Sequence, residues 1–105
     1  MIESLKQLLG FEPAADFVKI VEQGAVILDV RSKNEYDQGH INGSINISID
    51  KLTSNLHQLK DKRKPVVTCC ASGMRSATAK SILKSEGYLQ VYNGGSWHDL
   101  QNKIK

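Results

Sequence analysis

The chain has 105 residues, of which 40% are apolar and 24% charged, and its formal net charge is +3 at pH 7. This length accommodates one compact domain with its own hydrophobic core and leaves little room for a second. The charge is too small to indicate a nucleic-acid partner, and no apolar run approaches the roughly 20 residues that cross a bilayer. We therefore expect a single domain over residues 1–105, with no membrane and no nucleic acid among its partners.

Short strands alternate with helices in the predicted order of elements. After an N-terminal helical extension over residues 1–12, we expect a helix over 13–21, strands over 25–28 and 44–47, a helix over 52–59, a strand over 65–69, a helix from about 75 to Gly87, a strand over 89–92 and a helix over 97–104. The strands are apolar on both faces, which is typical of a parallel sheet covered on both sides. The pattern thus predicts a three-layer α/β domain with a central parallel sheet of four to five strands, although no clear strand precedes Ala14.

A cysteine follows the predicted strand over 65–69 and precedes a helix. It is Cys70, and the loop after it contains Ala71, Ser72, Gly73, Met74 and Arg75. In an open parallel sheet, ligands bind beyond the carboxyl ends of the strands. The amides and positive dipole end of the helix would lower the pKa of a thiol there and stabilise its thiolate. A buried structural cysteine beside an ordinary turn is the alternative.

The length of this loop bears on its chemistry. Cysteine-dependent phosphatases place five residues between the cysteine and the arginine, whereas four intervene here between Cys70 and Arg75. A tighter loop suits a single sulfur atom better than a phosphoryl group, and no acidic residue is marked as a general acid for phosphoester cleavage. Sulfur transfer is therefore favoured over a small phosphatase or an arsenate reductase.

Three segments together resemble the rhodanese family. The first runs from Leu28 through Asp29 and Arg31 to Asn46, the second is the Cys70 loop with Gly73, Arg75 and Ser76, and the third is Asn93-Gly94-Gly95 with Trp97. They cover most of residues 25–100 in the family's order and spacing. The resemblance implies a rhodanese-like fold with five strands and a sulfurtransferase that carries sulfur as a persulfide on Cys70. The family also includes members that have lost the cysteine, so a noncatalytic binding or regulatory module is an alternative.

The expected reaction moves a sulfane sulfur from a small donor, either thiosulfate or a persulfide, to a thiol or protein acceptor. No metal or organic cofactor is implied, and we expect a monomer. The adjacent thiols Cys69 and Cys70 cannot staple a fold by a disulfide framework. Together with the lack of a recognisable secretory leader, they favour a reducing cytoplasm.

The remaining residues of the resemblance receive separate interpretations. Arg31 and Glu35 are candidates for the pocket rim, although Asp29 and Arg31 are more simply explained as hydrogen-bonding residues that hold neighbouring loops. Thiosulfate-specialised members of the family carry basic residues where this chain has Glu35 and Ser72. A carboxylate at the mouth is expected to repel thiosulfate by about 1 kcal/mol. Cys69 should face the core, because neighbouring side chains of a strand point to opposite faces.

The other singled-out residues have structural interpretations. His40 is expected to satisfy backbone groups at a helix end rather than to bind a metal. Trp97 should lie in the core, with the possibility of closing one wall of the pocket, and His57 and His98 should lie at the surface. The glycines Gly43, Gly94 and Gly95 are expected in turns.

Overall fold

The computed structural model describes residues 15–105, which form an α/β domain with helices on both faces of a parallel sheet. In chain order its elements are α1 (Phe17–Glu22), β1 (Val26–Asp29), α2 (Lys33–Asp37), β2 (Ile45–Asn46), two 3-10 segments (Ile49–Lys51 and Thr53–Gln58), β3 (Val66–Cys70), α3 (Met74–Ser85), β4 (Val91–Ser96) and α4 (Trp97–Ile104). The predicted extension over 1–12, Pro13 and any strand before Ala14 lie outside the described residues. None of the helices within 15–105 is long and apolar enough to cross a membrane.

The four strands are ordered β2-β1-β3-β4, and each pairs in parallel with its neighbour. Val26 lies opposite Val66, and Asp29 lies opposite Cys69. Because all strands run in one direction, their carboxyl ends meet at one edge of the sheet. This edge brings the segments after β1 and β3 together, which is where the sequence predicts the site.

Each face of the sheet has its own hydrophobic core. On one face Leu28 and Val66 pack with Leu83 of α3 and with Leu52 and Leu59 of the segment before β3. On the other, a second cluster consists of Phe17, Ile20, Ile27, Ile41, Val67, Cys69 and Leu100. The central strands β1 and β3 therefore bury both of their faces, as their continuous apolar runs predict.

The helix predicted over 52–59 is wrong in type. The segment forms 3-10 turns, with i to i−3 bonds such as Asn55 N–H to the Leu52 carbonyl at 3.0 Å, and Asn55 itself has non-helical dihedrals. The side-chain amide of Asn55 donates to the Lys51 carbonyl at 2.8 Å, so it competes for the acceptor that an α-helix would use. Leu52 and Leu59 of this segment are nevertheless buried in the core.

The last strand is displaced towards the C-terminus from the predicted range 89–92. Leu89 is 71% exposed and precedes β4, which runs on through Gly94 and Gly95 to Ser96. Gly94 is therefore a strand residue rather than a turn residue. A Cβ at Gly94 would lie 2.8 Å from the Thr68 carbonyl oxygen of β3, so the close approach of the two strands requires glycine there.

Candidate active site at the end of strand β3

Cys70 is the last residue of β3, and its side chain is fully buried. It belongs to the core cluster beneath α3, whereas the preceding Cys69 belongs to the cluster on the opposite face. The β3–β4 pairing shifts register between Thr68 and Cys70, so an irregularity in the ladder coincides with the cysteine. The alternation of the strand thus separates the two thiols, and both are free.

The loop after Cys70 directs backbone amides towards the sulfur. Gly73 has φ of +101°, a left-handed conformation that favours glycine, and it caps the N-terminus of the 12-residue helix α3. Its N–H donates to Cys70 Sγ at 2.9 Å. The backbone amides of Ser72 and Ser76 also act on this sulfur. The arrangement is an anion-binding nest built around a thiol.

The pKa values of the two thiols are shifted in opposite directions. Burial works against ionisation of Cys70, but hydrogen bonds from Ser76, Gly73 and Ser72 outweigh it and lower the pKa of Cys70 below that of a free cysteine. At Cys69 burial is the largest effect and the charge of Asp29 adds to it, so the pKa rises to about 12. Cys70 is therefore the thiol that is suited to ionise and react, and Cys69 stays protonated.

A polar network behind the loop fixes its position. The Ser76 hydroxyl lies 3.5 Å from Cys70 Sγ and donates to Asn93 Oδ1 at 2.6 Å, and the same oxygen of Asn93 accepts from Gly95 N–H at 2.9 Å. Thr68 Oγ1 donates to the Ser76 carbonyl at 2.9 Å. In the thiol form the Cys70 S–H donates to Ser76 Oγ, and after ionisation the same hydroxyl can turn to donate to the sulfur. Strands β3 and β4 thereby hold the start of α3.

Arg75 forms an ion pair with Glu35 at the edge of this loop. The guanidinium donates from Nη1 to Glu35 Oε1 at 2.7 Å and from Nη2 to Oε2 at 3.0 Å. The hydrogen bond from Arg75 is the largest cause that lowers the pKa of Glu35, to about 2. The expected repulsion of an anionic donor assumes an unpaired carboxylate, whereas Glu35 is paired with a guanidinium; its effect on the choice of donor stays a prediction.

Arg31 lies inside the domain rather than at a pocket rim. It is 4% exposed, and its guanidinium grips the fully buried Asp29 carboxylate, with Nη2 to Oδ2 at 2.7 Å. The same group donates to the carbonyls of Glu35 at 3.2 Å and Gly39 at 2.7 Å. Asp29 and Arg31 thus hold the segment around α2 against the end of β1, as their interpretation as loop-holding residues predicts.

The other predicted residues of the loop and its surroundings are distributed as follows. Ala71 and Ser72 are exposed, and Met74 is 79% exposed at the start of α3. Trp97 is half-buried and packs against the second core cluster, as predicted, with the Arg31 Cζ 4.7 Å from the centroid of its ring.

The three histidines occupy the kinds of position that the sequence predicts. Nδ1 of His40 lies 2.7 Å from the Tyr36 carbonyl just past the end of α2, where the backbone-satisfying role was expected. His57 and His98 are exposed, as predicted.

Comparison with known proteins agrees with this geometry. The family model for the rhodanese-like domain matches residues 13–102. The chain belongs to the rhodanese-like family. It is 36% identical over 98 residues to a putative mitochondrial thiosulfate sulfurtransferase of Schizosaccharomyces pombe, which covers 80% of this chain and 68% of the relative. It is 33% identical over 87 residues to the thiosulfate sulfurtransferase GlpE of Shewanella oneidensis, with 78% and 85% covered.

A solved structure supports the same assignment. A structure described as a rhodanese with anions from E. coli superposes with a TM-score of 0.68 at 34% identity, over 71% of this chain and 89% of that chain. Other relatives are longer, and this chain spans a quarter of their length. The predicted rhodanese-like α/β fold is therefore confirmed, with four parallel strands among the described residues.

Within this rhodanese-like domain, sequence reasoning missed the supporting residues of the loop. Ser76 and Asn93 were recognised as parts of family segments without a role, and Thr68 was treated only as a strand residue. Their contacts join residues up to 25 positions apart, between Thr68 and Asn93, through the β3–β4 pairing. The Glu35–Arg75 pair spans 40 positions, and no local pattern in the sequence indicates it.

Proposed function

We propose that this protein is a sulfurtransferase that carries sulfur as a persulfide on Cys70. The observation that supports this proposal most strongly is the Gly73 N–H at 2.9 Å from Cys70 Sγ, at the start of α3. A thiolate accepts such a bond more strongly than a thiol does, and a persulfide anion would use the same donors. Relatives named thiosulfate sulfurtransferase support the class of reaction.

The reaction has two half-steps. The Cys70 thiolate attacks the sulfane sulfur of a donor, a new S–S bond forms, and the bond to the donor's remainder breaks with its electron pair; with thiosulfate the leaving group is sulfite. The loop amides hold the resulting Cys70–S–S⁻. An acceptor nucleophile then attacks the terminal sulfur, and the electron pair of the S–S bond returns to Cys70 as thiolate.

The proposed roles follow from the contacts. Cys70 is the nucleophile, and the backbone of Ala71, Ser72, Gly73 and Met74 forms the sulfur-binding loop, with Arg75 at its end. No step needs a general acid, since sulfite or a thiolate leaves without protonation. Because the thiol must stay reduced between turnovers, we place this activity in the cytoplasm.

Mass spectrometry of the intact protein tests the proposal. The reduced protein is incubated with thiosulfate or with glutathione persulfide, separated from the donor and weighed. We expect the gain of one sulfur atom in the wild type and in Cys69→Ala, its loss on addition of cyanide, and no gain in Cys70→Ala. Failure of the wild type to gain sulfur from either donor would refute the enzyme and favour a noncatalytic rhodanese-like module.

Cys69→Ala is the matched control because it removes a neighbouring thiol of the same strand. Its side chain lies on the opposite face of the sheet and has a pKa raised to about 12 by burial. Equal loss of sulfur loading in Cys69→Ala and Cys70→Ala would contradict the assignment of a single carrier thiol.

A further inference from the structure

The ion pair between Glu35 and Arg75 lies beside the proposed sulfur-binding loop. Both of its N–H···O bonds are short, at 2.7 and 3.0 Å, and the two side chains are 37% and 38% exposed. Such two-point contacts between a guanidinium and a carboxylate fix both groups in orientation. The pair is therefore a defined feature at the surface, in contact with solvent.

Glu35 is positioned by its own helix before it meets Arg75. Its Oε1 accepts from the Ser32 N–H at 3.1 Å, and Ser32 Oγ accepts from the Glu35 N–H at 3.2 Å, which is a capping box at the start of α2. The buried Arg31 also donates to the Glu35 carbonyl. One of these contacts holds the carboxylate and two hold the backbone of Glu35, so the Glu35 side chain is already positioned where Arg75 pairs with it.

Arg75 would otherwise present a cation beside the Cys70 loop. It lies in the first turn of α3, whose N-cap residue Gly73 donates its N–H to Cys70 Sγ. The exposed loop residues Ala71, Ser72 and Met74 carry no charge. With Glu35 in place, this side of the site offers an incoming anion no unpaired cation from the loop.

On the basis of the proposed function, we propose that Glu35 is a specificity-determining residue. By occupying Arg75, it withholds a cation from dianionic donors and favours donors of lower negative charge, such as organic persulfides, whose transferred outer sulfur is bonded to the inner sulfur of an uncharged organic group. Glu35 does not touch the reacting sulfur, and it acts through Arg75.

Two donors that differ by one charge isolate this effect. Thiosulfate is a dianion that leaves as sulfite, and methanethiosulfonate is a monoanion that leaves as methanesulfinate. In both cases the Cys70 thiolate bonds to the terminal sulfur, and the S–S bond of the donor breaks with its electron pair on the departing sulfur. The ratio of their second-order loading rates therefore reports how the site treats the additional charge.

The decisive variant is Glu35→Gln. A glutamine at this helix position retains the capping box, whereas it cannot neutralise Arg75. Asp37→Asn is the matched control, since it removes one negative charge from the same helix but the Asp37 carboxylate pairs with Lys33 at 2.6 Å. Far-UV circular dichroism and thermal unfolding check that each variant folds.

We expect Glu35→Gln to raise thiosulfate loading on the order of fivefold at low salt, because a freed guanidinium attracts a dianion even in water-like surroundings. The gain with methanethiosulfonate should be smaller, and high salt should reduce both gains. The Asp37→Asn ratio should equal that of the wild type. An unchanged or lowered ratio in Glu35→Gln, or an equal change in Asp37→Asn, would overturn the inference.

A second pair of variants keeps the inference testable if Glu35→Gln does not fold. Arg75→Gln leaves the Glu35 carboxylate unpaired, so it should lower the thiosulfate to methanethiosulfonate ratio. Combining both substitutions should return the ratio close to that of the wild type, and a ratio unaffected by Arg75→Gln would contradict the role of the pair. If no donor loads sulfur onto the wild type, the proposed function itself fails, which is a different result.

Discussion

Replacing Arg31 by methionine should remove a large part of the stability of this domain. The guanidinium makes three bonds of 2.7–3.1 Å to the Asp29 carboxylate and two more to the backbone of the α2 segment. The Asp29 side chain has no exposed surface. In Arg31→Met the buried Asp29 carboxylate would keep one hydrogen bond, from the backbone N–H of residue 31. In the wild type this N–H lies 3.0 Å from Asp29 Oδ1.

The expected loss follows from the cost of leaving a buried charge without its partner. Breaking a buried ion pair from one side costs about 3–5 kcal/mol, out of a total of about 5–15 kcal/mol for a typical domain. With a urea m-value of about 2 kcal/mol/M for a small protein, the unfolding midpoint should fall by about 2 M. Equilibrium unfolding in urea, followed by circular dichroism, measures this shift.

The chain contains its own control for Arg31. Asp61 and Arg63 have the same Asp-x-Arg spacing, and Asp61 Oδ1 likewise accepts from the backbone N–H at 3.0 Å and from Nε at 3.3 Å. These side chains are 52% and 84% exposed, so Arg63→Met should leave the unfolding midpoint close to that of the wild type. Equal losses in Arg31→Met and Arg63→Met would refute the reasoning, because burial is the difference between the two pairs.

Three further outcomes can be checked. Gly94→Ala should destabilise the domain by about 1–3 kcal/mol through overpacking, since its Cβ would meet the Thr68 carbonyl oxygen at 2.8 Å; unchanged thermal unfolding would contradict this. Ser76→Ala should raise the pKa of Cys70, because the hydroxyl bond favours the thiolate, so the pH profile of iodoacetamide alkylation should move to higher pH. In the native wild type, iodoacetamide should modify Cys70, whose pKa is lowered, while Cys69, whose pKa is raised to about 12, should react only after denaturation, as peptide mapping would reveal.

The sequence alone determined the layer architecture and the position of the candidate loop. Apolar runs such as Val66-Val67 can only be satisfied when both faces of a strand are covered, so they indicate a buried parallel sheet. The order of strand, Cys70 loop and helix is local, and local order is what a sequence pattern records. The separation of Cys69 from Cys70 follows from strand alternation in the same way.

The tertiary structure decided the features that depend on contacts between distant segments. The helix predicted over 52–59 became 3-10 turns because the Asn55 side chain competes for a backbone carbonyl, which the spacing of leucines does not reveal. The end of β4 depends on how closely Gly94 approaches β3. In both cases a polar side chain or the backbone makes the contact that sets the secondary structure. The spacing of apolar residues in the sequence does not indicate such contacts.

The same distinction applies to the charges at the site. Read along the chain, Glu35 is a carboxylate that repels anions and Arg75 is a cation at the start of a helix. Folding places Nη1 of Arg75 2.7 Å from Oε1 of Glu35, so each charge neutralises the other. The sequence identifies the thiol that we propose to react, whereas the charge at the edge of its loop depends on the pairing of residues 40 positions apart.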